Sequence, residues 1–244
     1  MSYQLEICAF DLASAIAASK YPIARIELCG GFEVGGTTPS FACLQMAREQ
    51  IAIPVYPIIR PRGGDFVYTE QEFEMMLREI DLCNELGFEG ISTGVQNEDG
   101  SIDEERMMMI VQAAYPMGVT CHRVFDLTPD PLAAMNVLIR LGVERILTSG
   151  QQASALEGAT LIRGLVEAAN GQMEIMAGAG ITSSIIGELA EQSGTNVFHA
   201  TAKKMIPAYK RSSPIKETGS LAVLDEEELK KLIQKLNKHF GLSS

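Results

Sequence analysis

The sequence predicts a single-domain α/β protein of the TIM (β/α)8 barrel type, and three observations predict it. Eight short β-prone runs recur along the chain, their starts about 19 to 37 residues apart, enough each time for a strand, a helix and two turns. The segments between them carry apolar residues at helical spacing. The first run leads into Cys8-Ala9-Phe10-Asp11-Leu12, which lacks the Gly-rich turn an open dinucleotide-binding sheet places after its first strand. The length of 244 residues matches the roughly 200–250 residues of many such barrels.

Taken in order, the β-prone runs are Leu5–Ala9, Ala24–Cys29, Ile53–Ile59, Gly90–Val95, Gly118–Val124, Arg145–Ser149, Glu174–Gly178 and Asn196–Thr201. Among the helical segments, Glu70–Glu85 spaces Phe73, Met76, Leu77, Ile80 and Cys83 along one face, and Asp103–Ala114 and Pro131–Leu141 behave alike. Two of them return to the next strand through matching turns, Leu86-Gly87-Phe88 and Leu141-Gly142-Val143, where a left-handed glycine ends the helix. The barrel core is expected over 1–202. Residues 203–244 then supply a long loop and a closing helix of the same domain. The loop, Lys203 to Ala222, holds two prolines and no clear periodicity and reads as a lid or an oligomer contact. Asp225 caps the last helix, which buries Leu229, Leu232, Ile233, Leu236 and Phe240.

Composition excludes several classes of function. Twenty Lys and Arg against 31 Asp and Glu give a formal charge of −11, so neither a nucleic-acid backbone nor an anionic membrane is an expected partner. Met1 to Ala18 lacks the basic start of a secretory signal, and no run reaches the roughly 18 apolar residues of a membrane span. Five cysteines without a CxxC pair suggest reduced thiols in the cytoplasm. No GxSxG elbow or Walker A loop is present.

Strand phase then nominates a site. Leu5, Ile7 and Ala9 share one side of the first strand, leaving Glu6 and Cys8 on the other; in the second, Arg25, Glu27 and Cys29 oppose Ile26 and Leu28. With the aliphatic side against the helices, the carboxylates point into the barrel and need cations or a ligand. Arg60 and Arg62, in Arg60-Pro61-Arg62-Gly63-Gly64-Asp65-Phe66, close strand three and could grip an anion or neutralise Glu6 and Glu27. His122, in His122-Arg123-Val124-Phe125-Asp126, closes strand five and is a candidate proton carrier that a neighbouring carboxylate could tune, with Arg123 and Asp126 positioning the site. His199 shares the inward phase of strand eight. Ser149, Gly178 and Gly180 lie in turns where barrels hold phosphate. Cys8 and Cys29, if adjacent strands are in register, could hold Cu(I) between two thiolates, or could simply be small buried hydrophobes.

These segments together resemble the CutC family, named for copper homeostasis. The likeness rests on Leu5-Glu6-Ile7-Cys8, Arg25-Ile26-Glu27-Leu28-Cys29, Gly35-Gly36-Thr37-Thr38-Pro39-Ser40, the Arg60–Phe66 block, His122–Asp126, Leu147-Thr148-Ser149-Gly150 and Ile175–Gly180, in that order. It runs from residue 5 to about 180 and loosens after residue 200. The resemblance implies a TIM-like barrel in the cytoplasm, copper binding and self-association as a homodimer. Copper(I) binding is therefore the first expectation. The alternative is an isomerase, lyase or aldolase acting on a small anionic or phosphorylated metabolite, with Glu6, Glu27, Arg60, His122, Arg123 and Asp126 as its catalytic set and Arg62, Ser149, Gly178, Gly180 and His199 holding the anion.

Overall fold

The computed structural model describes residues 2–207 and 219–242. Its eight barrel strands are β1 (Gln4–Ala9), β2 (Arg25–Leu28), β3 (Val55–Pro57), β4 (Gly90–Thr93), β5 (Gly118–Cys121), β6 (Arg145–Thr148), β7 (Glu174–Gly178) and β8 (Val197–Ala200). They are parallel and run around the sheet as β3-β2-β1-β8-β7-β6-β5-β4. A bridge from Ile58 to Ser92 joins the two ends and closes the barrel. Ile59 N–H donates to the Ser92 carbonyl at 2.8 Å, and Thr93 Oγ1 donates to the Ile59 carbonyl at 2.9 Å.

The helices are α1 (Leu12–Ala18), α2 (Phe41–Gln50), α3 (Glu70–Glu85), α4 (Glu104–Ala114), α5 (Pro131–Leu141), α6 (Ala159–Ala169), α7 (Ile186–Ser193) and α8 (Glu226–Phe240). Local sequence explains their limits. Thr69 and Glu72 form a capping box at the start of α3, and Gly87 and Gly142 take positive φ just past α3 and α5. Asp225 accepts from the amides of Glu227 and Glu228 to start α8, which buries Leu229, Leu232, Ile233 and Leu236.

The alternation read from the strands holds. Leu5, Ile7, Ala9, Ile26 and Leu28 belong to the large core between sheet and helices, whereas Cys8, Cys29 and Ile58 form a separate cluster inside the barrel. The amino-terminal end of the barrel is plugged by ions. Arg25 and Arg145 both reach Glu144, at 3.3 and 2.9 Å, Arg145 also meets Glu174, and Arg25 stacks on Tyr56. A large cavity lies at the other end, toward the carboxyl ends of the strands.

The expected loop at 203–222 is structured where it is described. Lys203–Pro207 (β9) pairs antiparallel with Ser220–Leu224 (β10), and the part of the loop between them lies outside the described residues. This ribbon escaped the sequence reading because β9 is exposed along its length and so shows no alternation.

One close approach makes a prediction. A Cβ on Gly158 would sit 1.9 Å from the Ser149 carbonyl oxygen, whereas one on Gly164, within α6, meets nothing within 4 Å. Gly158→Ala should cost about 1–3 kcal/mol by forcing backbone apart. Gly164→Ala should instead stabilise by about 0.5–1 kcal/mol. Urea midpoints of the two variants check this, and equal midpoints would contradict it.

Candidate functional site

A cavity of about 940 Å³ opens at the carboxyl ends of the strands. That is where barrels gather their reacting groups, because the loops after the strands converge there. Its lining has two poles of opposite character.

The first pole comes from β1, β2 and β8. Register sets Glu6 beside both Arg25 and His199. Glu6, 3 % exposed, accepts from His199 Nδ1 at 2.6 Å and pairs with Arg25 Nε at 3.3 Å. Above it, Cys8, Glu27 and His199 bring a sulfur, a carboxylate oxygen and a ring nitrogen within 4.8 Å of one another. Cys29 completes the cluster, with its Sγ 3.6 Å from Cys8 Sγ and 3.5 Å from Glu27 Oε2. His199 Nε2 lies 3.7 Å from Glu27 Oε2. Burial pulls the His199 imidazole down, but Glu27 and the bonds with Cys8 and Glu6 outweigh it and hold its pKa well above the usual histidine value. The Cys29 thiol is pushed well up by its bond to Cys8, by burial and by Glu27.

The second pole comes from the loops after β3 and β5. Arg60 donates to the carbonyls of Val34 and Gly36, each at 2.8 Å, and of Gly64 at 2.9 Å. His122 Nδ1 accepts from the Val124 amide at 3.3 Å, capping the 3-10 turn Arg123–Leu127, while Nε2 is buried without a partner. Burial first, and the Arg60 charge second, lower its pKa to about 3. Phe66 lies against both, its ring centroid 4.8 Å from that of His122 and 4.8 Å from the Arg60 guanidinium carbon.

Several expectations need correcting. The cations that neutralise Glu6 and Glu27 are Arg25 and His199, since the β1–β2 and β8–β1 registers place them alongside; Arg60 and Arg62 are not their partners. His122 has no carboxylate partner among the described residues, and the imidazole between two glutamates is His199. Arg62 turns to Glu72 and Asp65, at 2.6 and 3.0 Å, and is absent from the cavity lining.

Of the two turns expected to hold an anion, the one after β6 is filled by the chain's own carboxylate, Asp126. Asp126 accepts from Thr148 Oγ1 at 2.5 Å and from the Ser149 amide at 3.0 Å, and binds Arg123 Nε at 2.7 Å. It therefore organises the loop after β6. The stretch after β7 does not run straight into a helix, because α7 starts only at Ile186. Within it, Ser183 gives its amide and hydroxyl to Glu228 of α8, at 2.6 and 2.9 Å. Gly180 lines the cavity, but Gly178 serves packing, since a Cβ there would lie 2.4 Å from Leu147 Cδ1. Lys203 and Glu228 also line the cavity; Glu228 is the third residue after the Asp225 cap, but nothing local marks either as a cavity residue.

A (β/α)8 barrel with a thiol, carboxylate and imidazole cluster inside its open end is the class of protein this geometry defines. The sequence matches the CutC family over residues 3–204, and the chain belongs to that family. It is 48 % identical over 204 residues to a family protein CutC of Klebsiella pneumoniae strain 342, covering 84 % of this chain and 82 % of that one. It is 44 % identical over 201 residues to the human copper homeostasis protein cutC homolog, covering 82 % and 74 %. Among solved structures, a copper homeostasis protein CutC from Streptococcus agalactiae superposes with a TM-score of 0.78 at 32 % identity, over 82 % of this chain and 98 % of that one. A phosphoribosylanthranilate isomerase from Pyrococcus furiosus, at 12 % identity and TM-score 0.57 over 97 % of this chain and 99 % of that one, shares the fold alone.

Proposed function

We propose that the protein handles copper as cargo, holding Cu(I) through Cys8 and Cys29 with His199 available as a third ligand. The observation that carries this reading is the pair of free, buried thiols 3.6 Å apart inside the barrel mouth. Sulfur ligands are soft and suit Cu(I). Glu27 adds an oxygen beside them, and a mixed S, N and O set of four is also one that zinc accepts. The two thiols, with the family's association with copper homeostasis, favour Cu(I). Thiols and a protonated imidazole must lose their protons to bind metal, so loading releases protons to solvent. A reducing, cytoplasmic setting keeps such thiols available. No helix among the described residues is long and apolar enough to cross a membrane. Self-association as a homodimer is part of the same proposal, and sedimentation of the purified protein measures it.

Competition against a chromophoric Cu(I) chelator under reducing conditions tests the reading, with Zn(II) as a rival ion. Cys8→Ser and Cys29→Ser should each weaken Cu(I) binding by orders of magnitude while the far-ultraviolet circular dichroism stays unchanged. Parent-like Cu(I) affinity in both variants, or Zn(II) displacing Cu(I) from the parent, would reject it.

A further inference from the structure

We propose that the same cavity carries a second site, in which Arg60 binds the oxyanion, carboxylate or phosphate, of a small organic molecule. Arg60 is 5 % exposed, yet among the described residues no carboxylate lies within 4.0 Å of it. Its hydrogen bonds go to three neutral carbonyls, and its buried Nε–H has no acceptor. Buried charges are ordinarily paired, because solvation lost on burial must be replaced by an opposite charge. Arg25 and Arg145, the other buried arginines among the described residues, follow that rule within this fold. Arg60 departs from it at the wall of a large open cavity. A bound anion would supply the missing counter-charge.

The neighbours suit such a ligand. His122 has its Nδ1 occupied as an acceptor, so the proton of its neutral ring sits on Nε2, a buried donor with no partner. Two donors without acceptors therefore stand on two loops that meet at Phe66, whose ring contacts both side chains. The turn after β6 cannot take this role, since Asp126 already occupies it, and Ser183 after β7 already gives its amide and hydroxyl to Glu228. Size points the same way. A volume of about 940 Å³ far exceeds one metal ion and lies within the roughly 300–1,000 Å³ of pockets for small organic molecules. This inference does not rest on copper binding, because its observations are those of Arg60 and His122, neither of which is among the proposed copper ligands.

The experiment uses the full-length, reduced, metal-free protein. Inorganic phosphate and acetate are titrated separately, with chloride as the ionic-strength control, and backbone amide shifts are followed by heteronuclear NMR. Saturable shifts at Gly35, Gly64 and Phe66 are expected with phosphate or acetate and not with chloride. Which anion saturates assigns the ligand's charged group. Arg60→Met should weaken binding about tenfold to a hundredfold, as loss of a charge-assisted hydrogen bond does, and Arg60→Lys should weaken it less. Should Arg60→Met not fold, the parent's amide map still decides. No saturable shift with either anion, equal shifts with chloride, or parent-like binding by Arg60→Met would overturn the proposal. Cys29→Ser should bind the anion like the parent, so failure of the copper site and failure of this one are read separately.

Discussion

Glu6→Ala is expected to cost about 3–5 kcal/mol of stability, the range found when one partner of a buried ion pair is removed. Glu6 is nearly inaccessible and neutralises two groups, Arg25 at 3.3 Å and the raised-pKa imidazole of His199 at 2.6 Å. Its deletion leaves Arg25 with Glu144 at 3.3 Å, and leaves His199 with only the more distant Glu27. The penalty is thus a desolvated charge without a near partner rather than a lost contact. Glu6→Gln keeps the shape and one acceptor, so it should fall between parent and Ala. Denaturant unfolding at neutral pH measures both, and a cost below about 1 kcal/mol, the scale of an exposed pair, would show that the inward carboxylate carries no such role. Combining Glu6→Gln with His199→Gln should cost less than the sum of the single changes, since residues in one network couple.

The barrel was legible because period-two alternation and glycine-ended helices are local signals. The inward side of Glu6, Cys8, Glu27 and Cys29 followed from that alternation, and their convergence followed once β1 and β2 were taken as neighbours. What was not legible is which distant group meets which. His199 lies 193 positions from Glu6 and meets it only because β8 closes onto β1 in that register. Glu228 reaches Ser183 from the last helix and takes its amide and hydroxyl. The same holds for Asp126 and Ser149. A motif reports donors without reporting whether an acceptor elsewhere in the chain has taken them. Arg60 is the instructive contrast: it shares one motif with Arg62, yet the Arg62 side chain turns to Asp65 and Glu72 and that of Arg60 is buried against neutral carbonyls.

That burial shapes the protein's response to acid through His122. Unfolded, the imidazole takes up a proton below its ordinary value of 6.5; folded, it resists until about pH 3, through burial and the Arg60 charge. Between those values the unfolded chain binds one more proton, so the stability due to a neutral His122 is complete above about pH 6.5 and is lost as pH falls toward the folded value. The slope is about 1.4 kcal/mol for each pH unit. His199, whose pKa is raised, is protonated in both states below 6.5 and adds no slope there. Its own contribution is lost only as pH rises through its folded value. Glu79 and Glu144, raised by burial, act with the opposite sign just above the ordinary carboxylate range. His122→Asn isolates the histidine, because an amide oxygen can still accept from the Val124 amide while nothing titrates. Unfolding free energies between about pH 6.5 and 5 should fall by about 2 kcal/mol more in the parent than in the variant. Parallel pH profiles would mean that His122 is protonated in the folded protein, and with it that Arg60 does not hold the positive charge of that pole alone.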